Sequence, residues 1–280
     1  MVLSSNYPSF SVLMSVYKND DPDYFDFALE SIERQSVKPS EIVLVEDGLI
    51  SDALHRIVEK HAKLFEGNLK IIKLKKNNGL GNALKIGIKS VSNQWVARMD
   101  SDDYSVPDRF EKQLNKIMAE PEIAIVGGQV KEFNSNIENI VGSRTVPIGY
   151  KEICSFLKWR SPFNHPTVMF NKRKIEKAGG YIPYGNLEDY YLWSRVIAKG
   201  YIVKNLSDTL TYMRVDKGIY SRRGRLSNIK YFYSLRNFLR RKKIINSYEE
   251  IVGDIIVTVN IILPSIVRKT IYQNILHKNQ

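Results

Sequence analysis

Through the first hundred residues, short continuous apolar runs take turns with segments in which apolar residues recur every three to four positions. Phe10-Ser-Val-Leu-Met-Ser-Val16 is the first run; a stretch apolar at successive positions suits a strand buried on both faces, whereas strict alternation would mark one wet face. Phe25, Leu29 and Ile32 follow at helical spacing up to Gln35. Ile42 to Val45 makes a second strand, Ser51 to Phe65 a helix, Leu69 to Leu74 a third strand, Asn82 to Val91 a helix, and Trp95 to Met99 a fourth strand. Alternation of this kind predicts parallel βαβ units, hence an α/β fold with a mostly parallel sheet flanked by helices. Ligands of such open sheets collect at the carboxyl ends of the strands.

Farther on, Pro107 to Glu120 reads as an amphipathic helix, with Ser105 as its N-cap and Pro107 in its first turn. Ile123 to Gly128 is another buried strand, Gln129 to Pro147 is polar and hairpin-like, and Tyr150 to Trp159 is a helix. Leu192, Val196 and Ile197 share a helix face that Glu188 and Asp189 lead into. The end of the chain differs in kind. Tyr231 to Lys243 interleaves aromatics with cations, and Ile251 to Val267 is apolar but broken by Asp254, Asn260 and Pro264. A membrane span needs about 20 mostly apolar residues, and an Asp near its centre costs roughly 2.5–3.5 kcal/mol, so spanning is not expected. A helix pair on an anionic membrane surface and a helix pair packed on the body with a solvated charged face both fit the pattern.

Charge changes this picture only once it is located. The 280 residues carry +12, yet residues 1–216 hold 29 Lys+Arg against 27 Asp+Glu, while 217–280 hold 13 against 3. The expected organisation is therefore a nearly neutral body, 1–215, and a basic helical tail, 216–280, that meets an anionic surface. The 43% hydrophobic and 26% charged fractions are those of a globular protein rather than a disordered one. A single cysteine, Cys154, allows no internal disulfide, and the first residues lack the basic and apolar regions of a secretory signal. The expected location is the cytoplasm, peripheral to the inner face of its membrane.

The candidate chemistry sits at the strand ends. The fourth strand stops in Asp100, Asp102 and Asp103, three carboxylates within four positions. Such crowding is relieved by a hard divalent ion, Mg²⁺ or Mn²⁺, that keeps coordination positions for nucleotide phosphates; a polar turn capping the next helix is the plain alternative. A calcium EF-hand is rejected, because Tyr104 and Ser105 stand where an oxygen ligand and a Gly belong and Pro107 follows. Tyr17, Asp47, the Asn77/Gly79 loop and Asp100/Asp102 gather polar groups on one sheet edge, which makes a nucleotide site plausible. No G-x-x-x-x-G-K-[ST] is present, and Gly79-Leu-Gly81 lacks the third glycine of the dinucleotide fingerprint. His165 is either a phosphate contact or a hydrogen-bonded structural residue before Pro166. Glu188 and Asp189 either complement a helix dipole or supply a general base.

Phe10 to Tyr17, Val45-Glu-Asp-Gly48, Asn77-x-Gly79, Ala97-Arg-Met-Asp-Ser-Asp-Asp103 with Pro107-Asp-Arg109, His165-Pro166, Gly179-Gly-Tyr181 and Glu188-Asp189 through Leu192-Trp193 together resemble the inverting family 2 glycosyltransferases of Rossmann-like GT-A fold. The resemblance covers about residues 8–215, in the same order, and is nearest to bacterial enzymes building capsule, exopolysaccharide or O-antigen units. It implies a hexosyltransferase with a UDP-sugar donor, a lipid-linked saccharide acceptor and a Mn²⁺ or Mg²⁺ cofactor. It further implies that the main chain at Val16 and Tyr17 holds the nucleoside, that Asp47 accepts from the uracil, and that Asn77 and Gly79 line the donor site. Asp100 and Asp102 form the DxD element, with Asp102 the direct metal ligand and Asp100 nearer the ribose or metal. Asp189 is the acceptor base, supported by Glu188. The chain departs from the pattern at Lys85, where relatives often carry Asn, and in lacking a phosphate-facing His after Tyr212-Met-Arg-Val215; Arg222 and Arg223 are expected to supply that charge, with His165 a further diphosphate candidate. A nucleotidyltransferase and a nucleic-acid-binding protein are the rival readings; the latter leaves the acidic edge unexplained, so nucleic acid is not an expected partner.

Overall fold

A computed structural model of the chain describes residues 7–215 and 226–263. Strands β1 (Phe10–Val16), β2 (Glu41–Glu46), β3 (Leu69–Lys73) and β4 (Trp95–Arg98) pair in parallel, with Val12 opposite both Ile42 and Ala97. Helices α1 (Pro22–Glu33), α2 (Asp52–Leu64) and α3 (Leu80–Ser90) make the crossovers. The continuous apolar character of β1 follows from its two buried faces. Leu13 joins Val43, Val45 and Val96 under Ala83, Leu84 and Ile88 of α3, while Phe10, Val12, Met14 and Val16 pack with Phe25, Leu29 and Ile32 of α1. Gly87 brings α3 onto the sheet, since a Cβ there would stand 2.7 Å from both Leu13 and Val45 side chains.

Beyond β4 come β5 (Tyr104–Ser105), α4 (Arg109–Ala119), a hairpin of β6 (Ile123–Asn134) and β7 (Asn136–Arg144), α5 (Tyr150–Leu157), β8 (Met169–Asn171), α6 (Lys172–Lys177), α7 (Glu188–Ala198) and β9 (Ile202–Arg214). The sheet order is β3-β2-β1-β4-β8-β6-β9-β5, with β7 on β6. The parallel expectation therefore holds for the first half, and the second half is mixed: β8 enters antiparallel between β4 and β6, and β6 runs parallel to β9. Periodicity marked neither β8 nor β9 as strands. Ser105 is not the N-cap of α4; it lies in β5, its Oγ accepts from Arg109 Nη1 at 2.8 Å, and Asp108 takes the cap position.

The C-terminal segment forms α8 (Ile229–Arg241) and α9 (Ser247–Ile262), the latter opened by an Asn246/Glu249 capping box. Leu235 and Leu239 of α8 join the same apolar cluster as Trp193 of α7. Among the described residues, no helix is long and apolar enough to cross a membrane.

Candidate active site

The end of β2 organises the neighbouring loop. Asp47 is buried, and its two carboxylate oxygens accept the backbone N–H groups of Asn78 and Gly79, each at 2.9 Å. Gly48, at φ +90°, lies so close to the loop that a Cβ would stand 2.6 Å from Asn77 N; only glycine combines that left-handed conformation with that approach. Gly79, at φ +86°, then turns the chain into α3. The Val16 carbonyl accepts Asp47 N at 2.8 Å, and Tyr17 N donates to Asp20 Oδ2 at 3.1 Å. Val16, Tyr17, Asp47, Asn77 and Gly79 thus form one continuous rim.

Next to this rim stands the acidic turn, built around a cation that pattern reading did not single out. Arg98 is buried, and its guanidinium forks onto both oxygens of Asp100. The turn is held from beneath by Arg109, also buried, whose Nη2 donates to the Arg98 carbonyl at 2.7 Å. Asp103 accepts Arg214 N at 2.9 Å, while its buried Oδ2 has no partner among the described residues. Asp20, from the loop after β1, completes the cluster and accepts from Ser101 Oγ at 2.9 Å. Burial pushes Asp20 up to about 6; loss of surrounding water, then Asp100 and Asp20, push Asp102 up to about 7 although its side chain stays open to solvent from one side. Asp103 is driven well up by burial and by Asp102.

The second acidic pair closes the other side. Glu188 and Asp189 occupy the first turn of α7, where the helix dipole favours negative charge. Glu188 is buried against α3: a Cβ on Gly81 would meet its side chain at 3.1 Å. Burial, then Asp189, pushes Glu188 up to about 7. Burial pushes Asp189 up to about 6, against the Tyr190 backbone N–H and the Arg98 charge, which pull it down. Arg98 and Asp100 act on Glu188, Asp189, Asp102 and Asp103 alike, so the tertiary fold unites two acidic groups far apart in sequence around one buried cation.

His165 is spent within the fold. Its Nε2 lies 3.0 Å from Tyr181 Oη and its ring packs edge-on to Trp193; burial, then Arg98, holds it well below the usual histidine range, so it is neutral and ill suited to a phosphate charge. Lys85 is exposed on α3. Arg222 and Arg223 lie outside the described residues. Sequence reading passed over Asp20, Arg98 and Tyr181; the available signal for Asp20 was its place in the loop after β1, on the same sheet edge as Asp47 and Asp100.

The donor set fits a hard divalent ion in part. Among the described residues no three His, Cys, Asp or Glu side chains are arranged to hold an ion by themselves. Asp100 has given both oxygens to Arg98, which leaves only its remaining lone pairs. Mg²⁺ and Mn²⁺, however, are commonly held by one or two carboxylates plus substrate phosphates, and Asp102 is the exposed carboxylate of the turn, placed to meet a cation from solvent.

Known proteins resemble the chain in sequence and in fold. The model of the family described as Glycosyl transferase family 2 matches residues 11–180. An uncharacterized glycosyltransferase of Haemophilus influenzae is 44% identical over 79% of this chain and 81% of its own. The Escherichia coli UDP-Gal:alpha-D-GlcNAc-diphosphoundecaprenol beta-1,3-galactosyltransferase is 34% identical over 99% of both. Among solved structures, S. aureus TarS 1-349 in complex with UDP-GlcNAc superposes with a TM-score of 0.66 at 21% identity, covering 95% of this chain and 73% of that one. The mannosyltransferase PcManGT from Pyrobaculum calidifontis, in complex with GDP-Man and Mn²⁺, gives 0.64 at 16%, covering 95% and 79%. At such identities the two structures speak to the fold alone.

Proposed function

Since the chain belongs to glycosyl transferase family 2 and is a glycosyltransferase of GT-A fold, we propose that it moves a hexose from a UDP-sugar to a hydroxyl of a lipid-linked saccharide in bacterial surface polysaccharide assembly, with inversion at the sugar. The observation that carries this reading is the union of the Asp47 rim, the Asp100/Asp102 turn and the Glu188/Asp189 helix start on one sheet edge around Arg98. The E. coli relative, matched over nearly its whole length, bears a UDP-galactose donor and a diphosphoundecaprenol-linked acceptor in its name, which supports both substrate classes.

In this reading Asp47 serves twice, holding the Asn78/Gly79 loop and accepting from the uracil, and Val16 and Tyr17 flank the nucleoside. Asp189, ionised above about 6, takes the proton of the acceptor hydroxyl as its oxygen bonds to the anomeric carbon. The bond from that carbon to the diphosphate breaks on the opposite face, and the electron pair leaves with the nucleoside diphosphate. Glu188 is the neighbouring acid that supports Asp189 at the helix start. Asp102, with Asp100 behind it, would hold Mn²⁺ or Mg²⁺, which when bound supplies positive charge to the departing diphosphate. Membership of the family favours glycosyl transfer over nucleotidyl transfer.

Turnover of a UDP-sugar panel with Mn²⁺, read as UDP release with and without a polyprenyl-diphosphate-linked sugar, tests the proposal. Asp189→Asn should lower turnover about 10²- to 10⁴-fold with UDP affinity retained, and Asp102→Ala should abolish the Mn²⁺-dependent part of UDP binding. Near-normal turnover in Asp189→Asn removes that residue as the base; UDP binding indifferent to Mn²⁺ and to Asp102→Ala removes the metal role.

A further inference from the structure

The strongest feature unused by the catalytic reading is the outer face of α9. Its inner face is held to α8 and the body largely by polar contacts. Arg236 of α8, buried, donates to the carbonyls of Lys158, Glu249 and Glu250 and pairs with Asp254 at 3.3 Å. Lys158 pairs with Glu249 at 2.8 Å, and Arg240 pairs with Glu250. Gly253 and Ile261 are the buried residues of the helix.

The opposite face is a stripe of branched aliphatic side chains. Ile251 is 59% exposed, Ile255 58%, Val259 52% and Ile262 67%, with Tyr248 at its head. At about 100° per residue these five fall within an arc of about 80°, roughly opposite the arc of Glu249, Gly253, Glu250 and Ile261 that faces the body. Ile251, Ile255 and Val259 line a shallow groove with Tyr233 of α8, so the stripe lies along the exposed side of the helix pair. Ordinary monomer surfaces scatter such residues singly; a contiguous row marks an interaction face.

Charge decides the partner. The turn before α9 presents Arg241, Lys242 and Lys243, all exposed and in no ion pair among the described residues. All three acids of the helix pair are consumed internally, and the chain holds no Asp or Glu after Asp254. A second copy of this surface would bring no unpaired acid of the helix pair to neutralise those cations. A mostly aliphatic stripe headed by a tyrosine, on a helix roughly 24 Å long that follows a turn of unneutralised cations, matches a helix lying in the plane of an anionic interface.

We propose that the α9 stripe and the Arg241–Lys243 turn form a docking surface for an anionic lipid bilayer, mounted rigidly on the catalytic body by Arg236. This inference stands independently of the donor and of the catalytic residues.

The test is vesicle flotation of the full chain with phosphatidylglycerol-containing and pure phosphatidylcholine liposomes, at low and high salt. Binding to the anionic vesicles is expected to exceed binding to the neutral ones and to weaken with salt. Neutralising Arg241, Lys242 and Lys243 to Ala should reduce it on the order of a hundredfold, at roughly fivefold per cation. Ile255→Glu with Val259→Glu should reduce it at least tenfold while unchanged circular dichroism and UDP binding show an intact fold. Absence of binding to anionic vesicles overturns the proposal, as does binding indifferent to both variant sets. A concentration-dependent dimer in light scattering that Ile255→Glu dissociates, with no vesicle binding, assigns the stripe to self-association and likewise overturns it.

Discussion

Replacing Gly253 by Ala sets local propensity against tertiary packing with opposite signs. Gly253 is inside α9, where Ala is favoured over Gly by about 1 kcal/mol, so propensity alone expects stabilisation. The structure places a Cβ at this position 1.8 Å from Arg236 Cζ, a distance no non-bonded pair of atoms sustains, so the guanidinium has to leave. It then surrenders its bonds to the Lys158, Glu249 and Glu250 carbonyls and its pairing with Asp254. Hydrogen bonds from a charged donor contribute roughly 1.5–3 kcal/mol each, and breaking a buried ion pair costs about 3–5 kcal/mol. Part returns as the freed guanidinium and the partly accessible Asp254 regain water. If rehydration returns about half of even the lower-end loss, about 3–4 kcal/mol is forfeited; subtracting the helix gain of about 1 leaves about 2–3 kcal/mol of destabilisation, a roughly 30- to 150-fold rise in the opening equilibrium of α9. Because α9 is held mostly by these polar contacts, whereas α8 is anchored by Leu235 and Leu239, the effect should be local. Native-state hydrogen exchange of α9 amides is the assay. In an Arg236→Met background the same Gly253→Ala change should be neutral or stabilising, a coupling that isolates the guanidinium as the cause. Slower exchange in Gly253→Ala, or an equal effect in both backgrounds, refutes the reasoning.

Activity and stability should respond oppositely to pH. With Asp189 pushed up to about 6 and Glu188 to about 7 by burial, kcat/KM should rise as pH increases through that range. Because these carboxyls hold protons in the folded state that the unfolded chain has already lost, denaturant unfolding of the ligand-free protein should show stability falling as pH rises from about 4 to about 7. Arg98→Met should cost about 1–3 kcal/mol in urea unfolding, less than a fully buried pair because Asp100 is about a third exposed, and should shift the acid limb of kcat/KM upward. Asp47→Ala should destabilise by about 2–4 kcal/mol through its two lost acceptor bonds and weaken UDP binding at least tenfold in calorimetry.

What the residue order determined by itself is the first half of the fold and the identity of the acids. Phe10–Val16, Ile42–Val45 and Trp95–Met99 announce buried strands because their two faces are filled by near neighbours in the chain, and a βαβ unit closes over short spans. The crowding of Asp100, Asp102 and Asp103, and the place of Glu188 and Asp189 at a helix start, are equally local facts. Only tertiary structure decided that β8 would enter antiparallel beside β4, that Asp20 would join the acidic turn through Ser101, and that His165 would face Tyr181 rather than open solvent. It also decided that Arg98, read in sequence as one residue of an apolar run, would be the buried cation shared by both acidic groups. Periodicity records which side of an element is buried, but the partner waiting there comes from a distant part of the chain and is chosen by packing, where an uncompensated charge is costly enough to select its counter-ion.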